Sequence, residues 1–228
     1  MHPNLEVLTG APLALGAERQ RVLRNTYALL ALSMLPTVLG AWIGVQTGIA
    51  SAMGPMLGLI VFMAGAFGFM FAIEKFKNSG LGVVLLLGFT FFMGVMLSRL
   101  LGVVLSRGNG ANLVMMAFAG TSAVFFGMAL LSTVVKRDLS GLSRFLFIGA
   151  IGLLVVGIAN VFIQSGALML TLSALAIFIF SAFILVDLKR VRDGEETNYV
   201  TATLGVYLSL YNVFQSLLAM FGILGGDD

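Results

Sequence analysis

The segment Val200–Leu218, VTATLGVYLSLYNVFQSLL, decides how this chain folds. It is apolar and long enough to cross a bilayer as a helix, which takes about 20 residues. At 100° per residue, small and hydrogen-bonding residues line one face: Ala202, Gly205, Ser209, Asn212 and Ser216. Larger polar residues line nearly the opposite face: Tyr207, Tyr211 and Gln215. Because polar groups facing lipid cost free energy, other helices or water must cover both faces, and this segment is predicted to be the central helix of a bundle.

The composition of the whole chain places it in a membrane. Of its 228 residues, 59% are hydrophobic and 10% are charged, whereas a soluble domain carries about 25% charged residues. There is no Cys, and the single His is His2. Neither a metalloprotease HExxH motif nor a Gly-x-Ser-x-Gly motif occurs, so we expect no enzyme, no cofactor and no metal site.

Seven segments are long and apolar enough to span a membrane, which predicts an all-α integral membrane protein. The predicted spans are 26–46, 55–73, 80–98, 111–135, 145–163, 166–187 and 200–224. They define a transmembrane domain over residues 26–224, preceded by an N-terminal tail of residues 1–25 and followed by a short tail of residues 225–228. Continuous apolar runs, without alternation of polar residues, favour helices over a β-barrel.

The basic residues predict the orientation of the chain in the membrane. Of the 13 Lys and Arg residues, 11 fall on one side of the predicted spans, and only Arg99 and Arg107 fall on the other. This asymmetry predicts a cytoplasmic N-terminus and a C-terminus outside the cytoplasm. The orientation anchors include Arg24, Lys136, Arg137, Lys189 and Arg190. Their position in short loops is explained by orientation, so the basic charge does not indicate nucleic-acid binding.

Asp187 stands apart from the other charged residues because the apolar run 174–186 leads directly into it. A carboxyl group inside a membrane span is a candidate for proton or cation transfer, whereas one at the interface is ordinary. Burial would favour its neutral form, and the nearby basic residues would favour its anion, so the sequence leaves both interpretations open. Asp187 is predicted to lie on the opposite side of the membrane from Arg99.

Three stretches resemble the Bax inhibitor-1 family of seven-span membrane proteins. They are Arg21-Val-Leu-Arg-Asn-Thr-Tyr27, Gly120-Thr-Ser-Ala-Val-Phe-Phe126, and Gly194-Glu-Glu-Thr-Asn-Tyr199 followed by Tyr207-Leu-Ser-Leu-Tyr-Asn-Val-Phe214. Within the family, the chain is most similar to the bacterial YccA branch. The resemblance implies six helices around a central seventh one and a place in the bacterial inner membrane.

The resemblance also implies two alternative functions. The YccA branch is described as a substrate and modulator of FtsH, a membrane-bound AAA protease, and this is the predicted function. The alternative is a pH-sensitive calcium or proton leak, gated in the wider family by two acidic residues on spans six and seven. Asp187 occupies the first acidic position, but Ser209 replaces the second, so the predicted ion latch consists of Asp187, Ser209 and Asn212. Because calcium favours sites rich in carboxylates, the missing acid favours the protease modulator.

Overall fold

The chain folds into helices, and most of its length crosses a membrane. A computed structural model describes the backbone of residues 5–225 and the side chains of residues 16–225. The helices are α1 (Leu5–Thr47), α2 (Ile49–Ala52), α3 (Gly54–Phe76), α4 (Gly80–Leu105), α5 (Gly110–Val134), α6 (Ser140–Ile163), α7 (Gly166–Asp193) and α8 (Tyr199–Leu224). Within the described residues, seven of these helices, all except the one-turn α2, are long and apolar enough to span a membrane.

The seven predicted spans are confirmed, but several helices run beyond them. α4 continues past Arg99 to Leu105, α6 starts at Ser140, and α7 continues to Asp193. α1 extends back to Leu5, so the predicted N-terminal tail is helical from residue 5 onwards, and residues 1–4 lie outside the described part. The helices extend beyond the apolar runs because Lys, Arg and Glu have helix propensities similar to those of Leu and Met. Hydropathy therefore marks the membrane-crossing part of a helix and not its ends.

Helix α8 lies at the centre of the bundle, as the two polar faces predict. It packs against α1, α4, α5 and α7 and touches α3, while α6 packs mainly on α7. Of the most apolar window of α8, 56% is buried, against 39% or less in the other spans of the described chain. The interior consists of Phe89 and Met93 of α4, Ile184 of α7, and Tyr207 and Leu218 of α8, together with their neighbours.

Helices α1 and α4 cross at very short distance because glycines lie at the crossing. A Cβ atom on Gly40 would lie 3.1 Å from the backbone nitrogen of Val95, and one on Gly94 would lie 2.9 Å from the backbone nitrogen of Ala41. Small residues at such crossings let two backbones approach closely in lipid, where the hydrophobic effect does not drive helices together. The spacing Gly40-x-x-x-Gly44 thus forms a packing surface inside the molecule.

The two ends of the bundle differ in charge. The connections 77–79, 135–139 and 194–198 lie at one end, which we call the basic end because 11 of the 13 Lys and Arg residues lie there. Side chains join these connections: the Asn198 amide donates to Lys77 O (3.2 Å) and Asn78 Oδ1 (2.8 Å). At the opposite end, the Asn109 amide donates to Gly225 O (3.3 Å). Arg99 therefore lies far from Asp187, near the opposite end of α4.

Candidate functional site

Asp187 lies on α7 and faces the central helix. It is six residues from the end of α7, which places it about 9 Å inside the basic end at 1.5 Å per residue. Its carboxyl group packs against Gly205 of α8, where a Cβ atom would lie only 3.1 Å from Asp187 Oδ2. Glycine at position 205 therefore leaves the space that the carboxyl group occupies.

A small cavity of about 130 Å³ adjoins this carboxyl group, and we call it the Asp187 cavity. Its lining consists of Asp187, Arg190, Glu196, Thr201, Ala202 and Gly205. Among the described residues, the Asp187 side chain forms no hydrogen bond and no ion pair. The cavity has room for several water molecules, which can satisfy a polar group of this kind. Two carboxyl groups, one guanidinium group and one hydroxyl group thus meet at the basic end of α7 and α8.

Ser209 and Asn212, the other predicted latch residues, lie deeper on the same face of α8. Ser209 is buried one turn beyond Gly205 and does not line the Asp187 cavity. Asn212 is partly buried, and its amide donates to Leu208 O at 2.8 Å. The structure thus brings Asp187 together with residues of the first turns of α8 and of the connection before it.

Sequence reasoning missed Glu196 and Thr201 as neighbours of Asp187. Glu196 belongs to the Gly194–Tyr199 stretch that carries the resemblance, and Thr201 precedes Gly205 by one helical turn. Both residues therefore lie in or near recognisable stretches of the sequence. Placing them beside Asp187 required knowing that α7 and α8 form a hairpin in which residue 187 lies opposite residue 205. Arg190, a predicted orientation anchor and one of the basic residues expected near Asp187, also lines this cavity.

The opposite polar face of α8 joins it to α1 and α4. The Tyr207 hydroxyl lies 2.8 Å from Thr37 Oγ1 and 3.4 Å from Thr90 O, and the Tyr211 hydroxyl donates to Met93 O at 3.2 Å. Gln215 on this face is partly buried. The hydroxyl groups of both tyrosines therefore contact oxygen atoms of α1 and α4 within the bundle, as buried tyrosine hydroxyls usually do.

The predicted orientation anchors occupy the basic end in two different environments. Arg24, Lys136, Arg137 and Arg190 are exposed. The side chain of Lys189, in contrast, is only 8% exposed and forms an ion pair with Asp193. Arg192 Nε donates to the same carboxylate at 2.9 Å, and its Nη2 donates to Val135 O at 3.2 Å. The end of α7 is thereby fastened to the connection between α5 and α6.

The sequence of this chain matches the model of a known protein family. A family model described as "Inhibitor of apoptosis-promoting Bax1" matches residues 19–226. The chain belongs to the Bax inhibitor-1 family. Since the match covers all seven spans, the family resemblance of the three quoted stretches extends to the whole bundle.

Several bacterial relatives are similar over nearly their full length. Escherichia coli strain K12 has a protein named "Modulator of FtsH protease YccA", 38% identical over 91% of this chain and 92% of that protein. An E. coli O6:H1 relative of the same similarity is named "Inner membrane protein YccA". A Vibrio cholerae relative, "Uncharacterized membrane protein", is 34% identical over 92% of this chain and 93% of that protein. The predicted membership in this family, close to YccA, is thereby confirmed.

Proposed function

We propose that this protein modulates an FtsH-type AAA protease in the bacterial inner membrane, as a component of membrane protein quality control. The observation that carries the proposal is the 38% identity, over 91% of the chain, to the E. coli protein named as a modulator of that protease. The names of the family and of this relative describe an inhibitor and a modulator, not an enzyme. The partners are therefore the protease and the surrounding lipid bilayer.

The architecture supports a mechanism in which the protein engages the protease and resists extraction. The N-terminal residues 1–25 would serve as the handle for the protease on the cytoplasmic side. Pulling on this handle acts on α1, whose Gly40 and Gly44 pack closely on α4 and whose Thr37 contacts Tyr207 of the central helix. Extraction must separate these contacts and expose apolar spans to water, which costs about 25 cal/mol per Å² of apolar surface. A slowly extracted chain occupies the protease and spares other substrates.

Isolation of the protein from native membranes tests the proposed association. A tagged chain should co-purify with the protease, and its overproduction should lengthen the lifetimes of other membrane substrates of the protease after protein synthesis is blocked. A deletion of residues 2–15 should abolish the effect on those lifetimes while the remaining chain still reaches the membrane. If the full chain neither co-purifies with the protease nor changes substrate lifetimes, the proposal fails.

The proposed mechanism requires the basic end to face the cytoplasm, and the absence of Cys makes this orientation easy to measure. Exposed positions are available at both ends, Lys136 at the basic end and Ser106 at the opposite end. A membrane-impermeant maleimide applied to intact cells should label Ser106→Cys and should label Lys136→Cys only after the inner membrane is opened. The excess of positive charge at the basic end is the physical reason. Labelling of Lys136→Cys in intact cells would show that the basic end faces away from the cytoplasm and would contradict the predicted orientation.

The Asp187 cavity supports a second candidate function, a proton or calcium leak through the bundle. A carboxyl group that has no hydrogen-bond or ion-pair partner among the described residues, inside a membrane span and beside a cavity, is the arrangement expected of a proton-transfer site. Arg190 in the same lining disfavours a divalent cation, because calcium prefers sites dominated by carboxylate oxygens. The cavity therefore favours protons over calcium if the protein conducts.

Flux measurements in liposomes separate this second function from the first. Purified protein should carry a pH-dependent proton flux that Asp187→Asn abolishes, because an amide cannot release a proton. Glu195→Gln is the matched control, since Glu195 is exposed and does not line the Asp187 cavity. A proton and calcium flux equal to that of protein-free liposomes would exclude the leak and would leave the protease proposal untouched.

A further inference from the structure

A second cavity lies at the basic end, between the start of α6 and the last turns of α7. Its volume is about 290 Å³, and three basic side chains line it: Arg144, Lys189 and Arg190. Ser143 adds a hydroxyl group, and Val186 adds an apolar wall. We call it the α6–α7 cavity. Neither the ion latch nor the protease mechanism uses it.

The charges around the α6–α7 cavity leave an excess of one positive charge. Two carboxylates, Asp138 and Glu195, also line it. Asp138 accepts hydrogen bonds from the Ser140 backbone nitrogen and hydroxyl group, both at 2.8 Å, and these bonds hold its pKa below the usual range, so it is an anion at neutral pH. Three cations against two anions give +1.

Of the charges next to this lining, Asp193 and Arg192 do not change the balance. Asp193 binds Lys189 from one side, but it also binds Arg192, so including this anion and its second partner leaves the excess at +1. Arg190 also faces Asp187 and Glu196 in the Asp187 cavity, whereas Arg144 does not line that cavity. Glu195 Oε2 is 3.9 Å from Arg190 Nε, a long and weak contact. Arg144 forms no ion pair with any residue that the structure describes. The chemistry of the lining therefore fits one monoanion, bound chiefly by Arg144 and Arg190.

The surface next to the cavity shows what kind of monoanion fits. Ile148, Ile151 and Val155 follow Arg144 by four, seven and eleven residues, so they continue the same face of α6 into the membrane. All three side chains are exposed, by 70%, 47% and 60% respectively. An anion at Arg144 that carries acyl chains would lay those chains along this apolar face. A free phosphate ion would use none of it.

We propose that the α6–α7 cavity binds the monoanionic phosphodiester headgroup of an anionic phospholipid, with Arg144 and Arg190 contacting the phosphate. The acyl chains lie along Ile148, Ile151 and Val155 of α6. A diester with a single negative charge neutralises the excess of the lining, and its acyl chains cover the exposed apolar face of α6, which inorganic phosphate leaves exposed. Basic residues at the bilayer surface recognise anionic headgroups in this way.

Native mass spectrometry of the full chain, released from detergent, tests the site. The probes are phosphatidylglycerol, phosphatidylethanolamine and inorganic phosphate, added separately. The wild-type protein should retain one phosphatidylglycerol molecule in preference to phosphatidylethanolamine. Arg144→Gln should weaken this binding about fivefold, as expected for one basic residue near an anionic headgroup. The matched control is Arg137→Gln, which removes the same charge from an exposed position seven residues earlier that does not line the cavity.

The outcomes separate the site from general attraction between a basic surface and acidic lipid. About fivefold weaker binding in Arg144→Gln with wild-type binding in Arg137→Gln supports the proposal, provided both variants keep the wild-type thermal unfolding midpoint. Equal binding by the two variants overturns it. If inorganic phosphate displaces the lipid and stabilises the protein equally well, the site recognises free phosphate and the lipid proposal is wrong.

Discussion

Gly94→Ala is expected to lower the free energy of unfolding by about 2 kcal/mol, as typical for the insertion of a methyl group into a closely packed interface. The new Cβ atom would lie 2.9 Å from Ala41 N and even closer to Thr37 O, both backbone atoms of α1. Backbone atoms inside a helix cannot turn away as a side chain can, so α1 and α4 must move apart. A lower thermal unfolding midpoint in detergent would show the effect.

The control for this prediction is the same change on the same helix. A Cβ atom added to Gly102 would meet no neighbouring heavy atom within 4 Å, so Gly102→Ala should be neutral or slightly stabilising. Alanine is favoured over glycine in a helix by up to about 1 kcal/mol. If both variants unfold at the wild-type midpoint, the close crossing of α1 and α4 is not a source of stability.

Tyr207→Ala is expected to destabilise the protein by about 3 kcal/mol, as large-to-small substitutions in a packed interior do. The side chain is only 1% exposed, and its ring contacts Phe89 edge-on with centroids 6.1 Å apart. Tyr207→Phe keeps the ring and removes only the hydroxyl contacts to Thr37 Oγ1 and Thr90 O, so it should cost about 1 kcal/mol. Reversible unfolding in mixed micelles measures both values.

A lipid-facing aromatic residue provides the comparison. Phe126 is 64% exposed on α5, so Phe126→Ala should change the free energy of unfolding by much less than Tyr207→Ala. This difference follows from the central position of α8, whose residues have protein on several sides. Equal losses for Tyr207→Ala and Phe126→Ala would mean that α8 is not the packed centre of the bundle.

The sequence was informative about the spans and about α8 because both depend on local patterns. Apolar runs of sufficient length indicate membrane helices, and the spacing of Ser209, Tyr207 and Tyr211 indicates two covered faces. The helix ends could not be predicted in the same way. Arg99 interrupts an apolar run without interrupting α4, because a charged residue near the interface remains compatible with helical structure.

The surroundings of Asp187 depended on tertiary contacts that no local pattern contains. The apolar run before residue 187 was enough to identify Asp187 as a candidate site residue. Its contact with Gly205 and its shared cavity with Glu196 and Thr201 required the packing of α7 on α8. The burial of Lys189 was equally hidden, because its ion pair with Asp193 has the same spacing as an ordinary exposed pair on a helix.

In the proposed mechanism, the packing of this bundle resists extraction and thereby modulates the protease. The decisive measurement is the degradation rate of a second membrane substrate by the FtsH-type protease, reconstituted in liposomes with wild-type protein, Gly94→Ala or Gly102→Ala in equal amounts. Wild-type protein and Gly102→Ala should slow the degradation, whereas Gly94→Ala should itself be degraded faster and should spare the substrate less. An unchanged degradation rate with wild-type protein would contradict the proposed function, and equal inhibition by all three proteins would contradict the extraction mechanism.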